Sequence, residues 1–329
     1  MGSYILKRIL LMIPTLLGIM LMTFAVIQFV PGGPIEQVIA KMQGTDTDAT
    51  ARISGNSGNE AGGNEQSQVG ADTAIKYKGA QGLDPEFIKS LEKQFGFDKP
   101  IHERFLLMIG NYLTFNFGKS YFRDRDVVDL MIEKMPVSIS LGLWLTLITY
   151  LVSIPLGIRK AVKAGSNFDV WTSAVIIVGY AIPSFILAIL LIVLFAGGSY
   201  YSWFPLRGLT SDNFSELSWF GKIADYAWHM ALPLFALGIG GFATMTLLTK
   251  NSFLDEIRKQ YVVTARAKGL TESQVLYGHV FRNAMLLVIS GFPGAFLGAF
   301  FAGSLLIETV FSLDGLGYLT YKAALDRDY

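Results

Sequence analysis

The residues best suited to acid–base or metal chemistry in this chain are its three histidines, His102, His229 and His279. They lie far apart. His102 is followed by Glu103, His229 lies at the edge of an apolar run, and His279 stands four residues before Asn283 in a basic stretch. A metal centre needs three or four donors converging on one point, and none of these has a second ligand at a useful spacing. The chain contains no cysteine, which removes disulfides, thiolate metal ligands and thiol nucleophiles together. No Gly-x-x-x-x-Gly-Lys run is present to wrap a nucleotide phosphate. The expectation is no catalytic residue, no metal site and no cofactor held by this chain.

The composition indicates what kind of scaffold this is. Of 329 residues, 52% are hydrophobic and 16% charged, against roughly 25% charged in soluble domains. Mean hydropathy is +0.43. The formal net charge of +1 leaves no concentrated basic field for nucleic acid. The apolar residues fall into five charge-free runs, Ile9–Val30, Val137–Ile158, Val170–Ala196, Met230–Thr249 and Ala284–Ile307. Each is long enough for a helix across a bilayer, which takes about 20 residues. The fold expected is an all-α polytopic transmembrane bundle, with the long third run tilted or extending beyond the bilayer. The first run exceeds the apolar core of a secretory leader, and no small-residue cleavage pattern precedes Val30-Pro31-Gly32-Gly33-Pro34, so it reads as a retained helix.

Basic residues in short loops set the orientation. With a cytoplasmic N-terminus, the inner segments carry Lys7, Arg8, Arg159, Lys160, Lys163, Lys250, Arg258, Lys259, Arg266, Lys268 and Arg282; the outer ones carry only Arg207, Lys222, Lys322 and Arg327. The domain plan is then a first helix within 1–30, an external segment 31–136, and a membrane core 137–329 with an inner loop 250–283. Residues 43–80 are rich in Gly, Ser, Asn, Gln, Asp and Thr, too polar to bury a core, and read as a flexible insertion. Beyond Asp84, Phe87, Leu91 and Phe95 share one helical face, and Phe105, Leu106, Ile109, Tyr112 and Leu113 share another, as in a small external helical region. The chain stops at Asp326-Arg327-Asp328-Tyr329 without a cap, as a shortened chain would.

Every run contains a proline (Pro14, Pro155, Pro183, Pro233, Pro293), which removes a helical hydrogen bond and permits a bend. Gly294 and Gly298 form a Gly-x-x-x-Gly pair suited to close helix packing. Gln28, Thr146, Thr149, Ser153, Thr172, Tyr180, Ser184, Thr244 and Ser290 could line a path between helices, or equally bond a neighbouring helix. Charge-free spans disfavour coupling to protons or ions, which needs an ionisable group or unwound helix ends near the midplane. They also hold no paired Asp, Ser/His pair or metal motif for an intramembrane enzyme. Energy for uphill movement would have to enter through the loops.

The loop 250–283 is the most informative stretch. Leu254, Ile257, Tyr261 and Ala265 follow helical spacing, with Asp255 and Glu256 early and Arg266 and Lys268 late, matching the helix dipole. Gly269 suits a helix stop, and Thr271-x-x-Gln274 reads as a capping box that starts another helix. Two short helices around a glycine turn would project as a stiff knob, and the small residues Ala265, Ala267 and Gly269 would let another protein pack close. A solvated basic loop remains the other reading on these grounds alone.

The run Tyr261, Val263, Thr264, Ala265, Arg266, Ala267, Lys268, Gly269 resembles the signature loop of membrane subunits of ATP-binding-cassette importers, a Glu-Ala-Ala, three residues, then Gly. Thr-Ala-Arg-Ala-Lys-Gly-Leu is the form usual in the peptide-type branch (dipeptide, oligopeptide and nickel importers). The resemblance extends over Tyr4–Arg8, Gly96–Pro100, Phe117–Ser120, Ile154–Gly157, Ile182–Phe185, Ile307–Ser312 and Gly315–Gly317. Pro31-Gly32-Gly33-Pro34, the insertion, Ser312-Leu313-Asp314-Gly315 and Leu287 resemble most the permeases of microcin C and antimicrobial-peptide importers.

The resemblance implies a channel-forming, non-catalytic permease in the bacterial inner membrane that moves peptides or peptide-like compounds inward. Its partners would be a second homologous permease, cytoplasmic ATPase subunits holding the ATP and Mg, a periplasmic solute-binding protein and the lipid bilayer. The loop around Thr264–Gly269 would be the helix that couples to the ATPase, and a sixth span would follow Tyr329. The rival reading is a stand-alone secondary carrier or channel, which would purify without ATPase subunits.

Overall fold

The computed structural model describes residues 2–29, 35, 38–39, 85–94, 97–120, 122–198, 200–301, 304–326 and 328. The insertion 43–80, the Pro31–Pro34 turn and the side chain of Gln28 lie outside the described residues. Backbone contacts divide the chain into two units, Met1–Leu130 with Lys322–Tyr329, and Met131–Tyr321.

In the first unit, helix α1 (Gly2–Phe29) continues through Pro14. Its Phe24 ring lies 5.3 Å from that of Phe105 on α3 (Ile101–Leu113). Helix α2 (Pro85–Gln94) buries Ile88 and Leu91 together with Ile35, Val38 and Ile39, as its apolar face requires. Helix α3 fully buries none of its residues. A two-residue antiparallel ladder, β1 (Lys119–Ser120) with β2 (Arg125–Asp126), pairs Lys119 with Asp126, and Ser120 hydrogen-bonds Asp328.

The second unit is built from helices because only a helix satisfies every backbone group within lipid without help from neighbours. Helix α4 (Val127–Val162) begins in the first unit, passes through Pro136 and Pro155, and spans 36 residues. Helix α5 (Asn167–Ala181) starts where Ser166 caps the Asp169 amide, and α6 (Ser184–Phe195) follows. Helix α7 (Trp219–Ile257) is 39 residues long and is capped by Ser218 on the Gly221 amide. At 1.5 Å per residue, α4 and α7 reach roughly 54 and 58 Å, well beyond an approximately 30 Å hydrocarbon core. Beyond them lie α8 (Gln260–Ala267), α9 (Glu272–Val275), a π-helical turn at Leu276–Val280, α10 (Phe281–Phe301), α11 (Leu305–Val310) and α12 (Leu316–Asp326). Among the described residues four helices are long and apolar enough to cross a membrane, or five segments if the bent α5–α6 pair is one span.

Three expectations need correction. The third apolar run is not one tilted helix: α5 and α6 meet at 93°. Ile182, immediately before Pro183, takes φ −84° and ψ 119°, because the proline ring disfavours the helical region for its predecessor. Pro14, Pro155, Pro233 and Pro293 stay inside continuous helices, so one proline of the five breaks its run. The last run is also interrupted, since α10 ends at Phe301 and α11 begins at Leu305.

The third correction concerns close packing. A Cβ at Gly291, Gly294 or Gly298 would meet nothing within 4 Å, whereas at Gly157 it would lie 2.6 Å from Thr249 Cβ. The tight crossing therefore joins α4 to α7, and Gly179 makes a second one against Ile239. Two apolar clusters hold the unit. One gathers Leu141, Leu187, Met230, Ala236, Ile307 and Phe311 from α4, α6, α7 and α11. The other gathers Ile158, Phe253, Val262, Val275, Ala284 and Val288 from α4 and α7 to α10.

Candidate functional site

Helix α7 ends at Ile257, and after Arg258 the chain turns at Lys259, which is extended (φ −77°, ψ 151°) and precedes α8. Glu256 fixes this corner by accepting from Lys259 Nζ and, at 2.7 Å, from the Tyr261 hydroxyl. That hydrogen bond holds the Lys259 ammonium above its ordinary pKa, and burial pushes the Tyr261 phenol up. Helix α8 stops at Gly269, whose φ of +83° is the left-handed conformation that glycine adopts without a Cβ penalty. The Gly269 amide donates to Arg266 O at 2.9 Å.

Thr271 then opens α9 with a full capping box: its hydroxyl accepts from the Gln274 amide, and Gln274 Oε1 accepts from the Thr271 amide at 2.9 Å. Arg266 spans the turn, donating from Nε and Nη2 to the two Glu272 oxygens at 2.8 and 2.9 Å. The result is a helix–glycine–helix elbow cross-tied by a bidentate ion pair.

The elbow has an inward and an outward face. Val262, Ala265, Val275 and Val280 are buried against the ends of α4, α7 and α10, with Phe253 fully enclosed among them. Val263, Thr264, Arg266, Ala267, Lys268 and Gly269 are exposed. Ala265 therefore packs into the protein's own core and is not part of the small outward surface expected of it; helical rotation places it on the same side as Val262. A cavity of about 250 Å³ lies between elbow and bundle, bordered by Ala161, Val262, Arg266, Glu272 and Tyr277.

The polar residues considered for a path are not gathered in one place. Thr149 lines an apolar cavity of about 380 Å³ with Leu145, Ile176, Gly238 and Phe242, between α4, α5 and α7. Ser153 bonds across to Phe242 O at 3.2 Å. Thr244 and Ser290 are exposed and donate back to their own helices, to Gly240 O and Leu287 O. Tyr180 is exposed at the end of α5, and Thr146 and Ser184 are half-buried.

Two charged groupings were missed in the sequence because their members are distant along it. Fully buried Lys160 donates to Thr172 Oγ1, Ser173 Oγ and Asp169 O, and Lys250 meets the Asp169 carboxylate from α7. In the sequence these lysines read only as loop charge, and no local spacing links Asp169 to Lys250. Glu308, just past the last apolar run, is fully buried and accepts from Ser138 Oγ, the Ser304 amide and the Tyr318 amide at 3.1, 3.2 and 2.8 Å. Among the described residues no group of three or more His, Asp or Glu side chains could hold a metal ion.

Four or five apolar helical segments of spanning length, with a helix–glycine–helix elbow between two of them, define a polytopic membrane protein. The particular family follows from comparison. Residues 153–329 match the binding-protein-dependent transport system inner membrane component, and the chain belongs to that family. It is 64% identical to the peptidoglycan transport system permease protein YejB of Agrobacterium fabrum, over all of this chain and 89% of the relative. It is 57% identical to the inner membrane ABC transporter permease protein YejB of Escherichia coli O157:H7, over all of this chain and 90% of the relative. Identity to the dipeptide transport system permease protein DppB of Escherichia coli K12 is 30%, over all of this chain and 89% of that protein. The chain is thus a multi-pass inner-membrane permease subunit of the peptide-type ABC importers, and ATP hydrolysis resides in other subunits of such systems.

Proposed function

We propose that this permease passes peptides or peptide-like compounds, microcin C among them, from periplasm to cytoplasm, with its N-terminus cytoplasmic. It pairs with a second homologous permease, receives cargo from a periplasmic solute-binding protein, and is driven by cytoplasmic ATPase subunits that hold the ATP and Mg. The elbow Tyr261–Gly269 is the coupling element, and its exposed face, Val263, Thr264, Ala267 and Lys268, meets the ATPase. The observation that carries this reading is the build of the elbow: a buried face continuous with three membrane helices, an exposed face of Val263, Thr264, Ala267 and Lys268, and a turn held by Gly269, a capping box and the Arg266–Glu272 pair. Such an element transfers displacement instead of absorbing it, and closure of the ATPases would switch access from one side to the other. The relatives' names, a peptidoglycan permease and a dipeptide permease, support a peptide-class substrate.

The test is Gly269→Trp in the assembled complex. Its backbone has φ +83°, so any side chain strains the turn, although a Cβ there meets nothing within 4 Å. ATP-dependent uptake of labelled peptides should vanish while membrane insertion persists. Normal uptake in an assembled variant would refute the assignment of the elbow, and unchanged peptide uptake in cells lacking the chain would refute the cargo class.

A further inference from the structure

Three charged side chains from three helices meet at the end of the bundle that carries the elbow. Lys160, near the end of α4, is 0% exposed. Its Nζ donates to Asp169 O at 2.9 Å, Thr172 Oγ1 at 2.6 Å and Ser173 Oγ at 2.8 Å, and stands 3.1 Å from Asp169 Oδ1. Lys250 of α7 approaches the same carboxylate, 2.7 Å from Oδ1 and 2.8 Å from Oδ2. The Gly165 amide also donates to Oδ2, at 3.1 Å, and so ties the turn between α4 and α5 to the cluster.

Taken as a source of stability this is an expensive arrangement. Removing two ammonium groups and a carboxylate from water costs several kcal/mol per ion before their attraction is counted, and apolar side chains of similar volume do as well or better. What a charged cluster supplies is direction: each donor must meet a particular oxygen, so three helix ends are held in one register. Lys250 lies about two helical turns before the end of α7 at Ile257, where the chain turns into the elbow. Asp169, Thr172 and Ser173 lie in the first turns of α5, the helix that ends at the 93° break before α6. Helix α6, beyond the break, packs into the other apolar cluster against Leu141 of α4, Met230 of α7 and Ile307 of α11.

We propose that Lys160, Asp169 and Lys250 are positioning residues that fasten α4, α5 and α7 beside the elbow, so that a thrust on the elbow is delivered through α5 to the break at Ile182–Pro183. This rests on the elbow being the contact with the ATPase. They make the elbow and the first turns of α5 move as one body with α4 and α7, up to the break before α6.

Charge counting selects the variant that tests the role without abolishing the fold. Asp169→Asn strands two ammonium groups and should not fold. Lys250→Met leaves Lys160 and Asp169 matched one to one and should assemble normally. The experiment reconstitutes the whole importer in proteoliposomes and reads ATP hydrolysis and peptide uptake together, with Lys250→Arg and Gly269→Trp in parallel. Lys250→Met is expected to retain hydrolysis but to move fewer peptides per ATP by about tenfold or more. Lys250→Arg, which preserves charge and donors, should restore the ratio. A purely structural role would lower both readouts together. An unchanged ratio in Lys250→Met, with Gly269→Trp inactive, overturns the fastening and leaves the elbow standing. Normal uptake in Gly269→Trp overturns both, and failure of Lys250→Met to assemble overturns the charge counting on which the proposal stands.

Discussion

Replacing Gly157 by valine forces bulk into the closest approach of α4 and α7. A Cβ there would lie 2.6 Å from Thr249 Cβ, 2.8 Å from the Thr246 carbonyl oxygen and 2.9 Å from Thr249 Cγ2. Carbon atoms prefer about 3.5–4.0 Å, so the helices must part by about 1 Å. The obstruction includes backbone, which no rotamer change can move. Parting the helices also strains the Ser153–Phe242 hydrogen bond and opens the packing around Phe253. Overpacking of this kind costs about 1–3 kcal/mol, and valine adds methyl groups beyond the Cβ, which places the loss near 3 kcal/mol. The unfolding constant would rise by about a hundredfold.

Gly294→Val is the matched control, since a Cβ there meets nothing within 4 Å. It should change stability by no more than about 0.5 kcal/mol. Reversible unfolding of the purified chain in mixed micelles with increasing sodium dodecyl sulfate, followed by circular dichroism, would compare the two. Equal midpoints would refute the claim that the Gly157 crossing, and not the Gly294–Gly298 pair, carries the close packing within this chain.

Three further outcomes are expected. Glu308→Ala should destabilise the same unit by about 1–3 kcal/mol for each amide or hydroxyl left without an acceptor, and Gly315→Ala, whose Cβ would fall 2.6 Å from Glu308 Oε2, should reproduce much of that loss in the same unfolding assay. Deleting 45–78 should leave the membrane fold and the assembled complex intact, as read by co-purification of the ATPase subunits.

What could be read from the chain in advance was local. Charge-free runs revealed the spans, because lipid demands about 20 apolar residues whatever the tertiary arrangement. Gly269 and Thr271-x-x-Gln274 revealed the elbow, because a left-handed stop and a capping box are completed within a few residues. Proline was a weaker guide. Five runs carried one, and only the Ile182–Pro183 step became a break, since the others are held within continuous helices. The glycine pair in the last run meets no close neighbour among the described residues of this chain, because a small residue permits close approach without stating which neighbour arrives. Lys160, Asp169 and Lys250 stayed invisible for the same reason: pairing Asp169 with Lys250 requires α5 and α7 to be side by side.

The π-helical turn at Leu276–Val280 sets the phase between elbow and last span. A π turn lodges one extra residue in an α-helical ladder, and each residue advances a helix by about 100°. Removing that residue would leave the length of the connection almost untouched yet swing the elbow's outward side chains through more than a quarter of a revolution about the axis of α10. The azimuth of the elbow's outward face about α10 is thus written into one surplus residue, independent of the chemistry of that face.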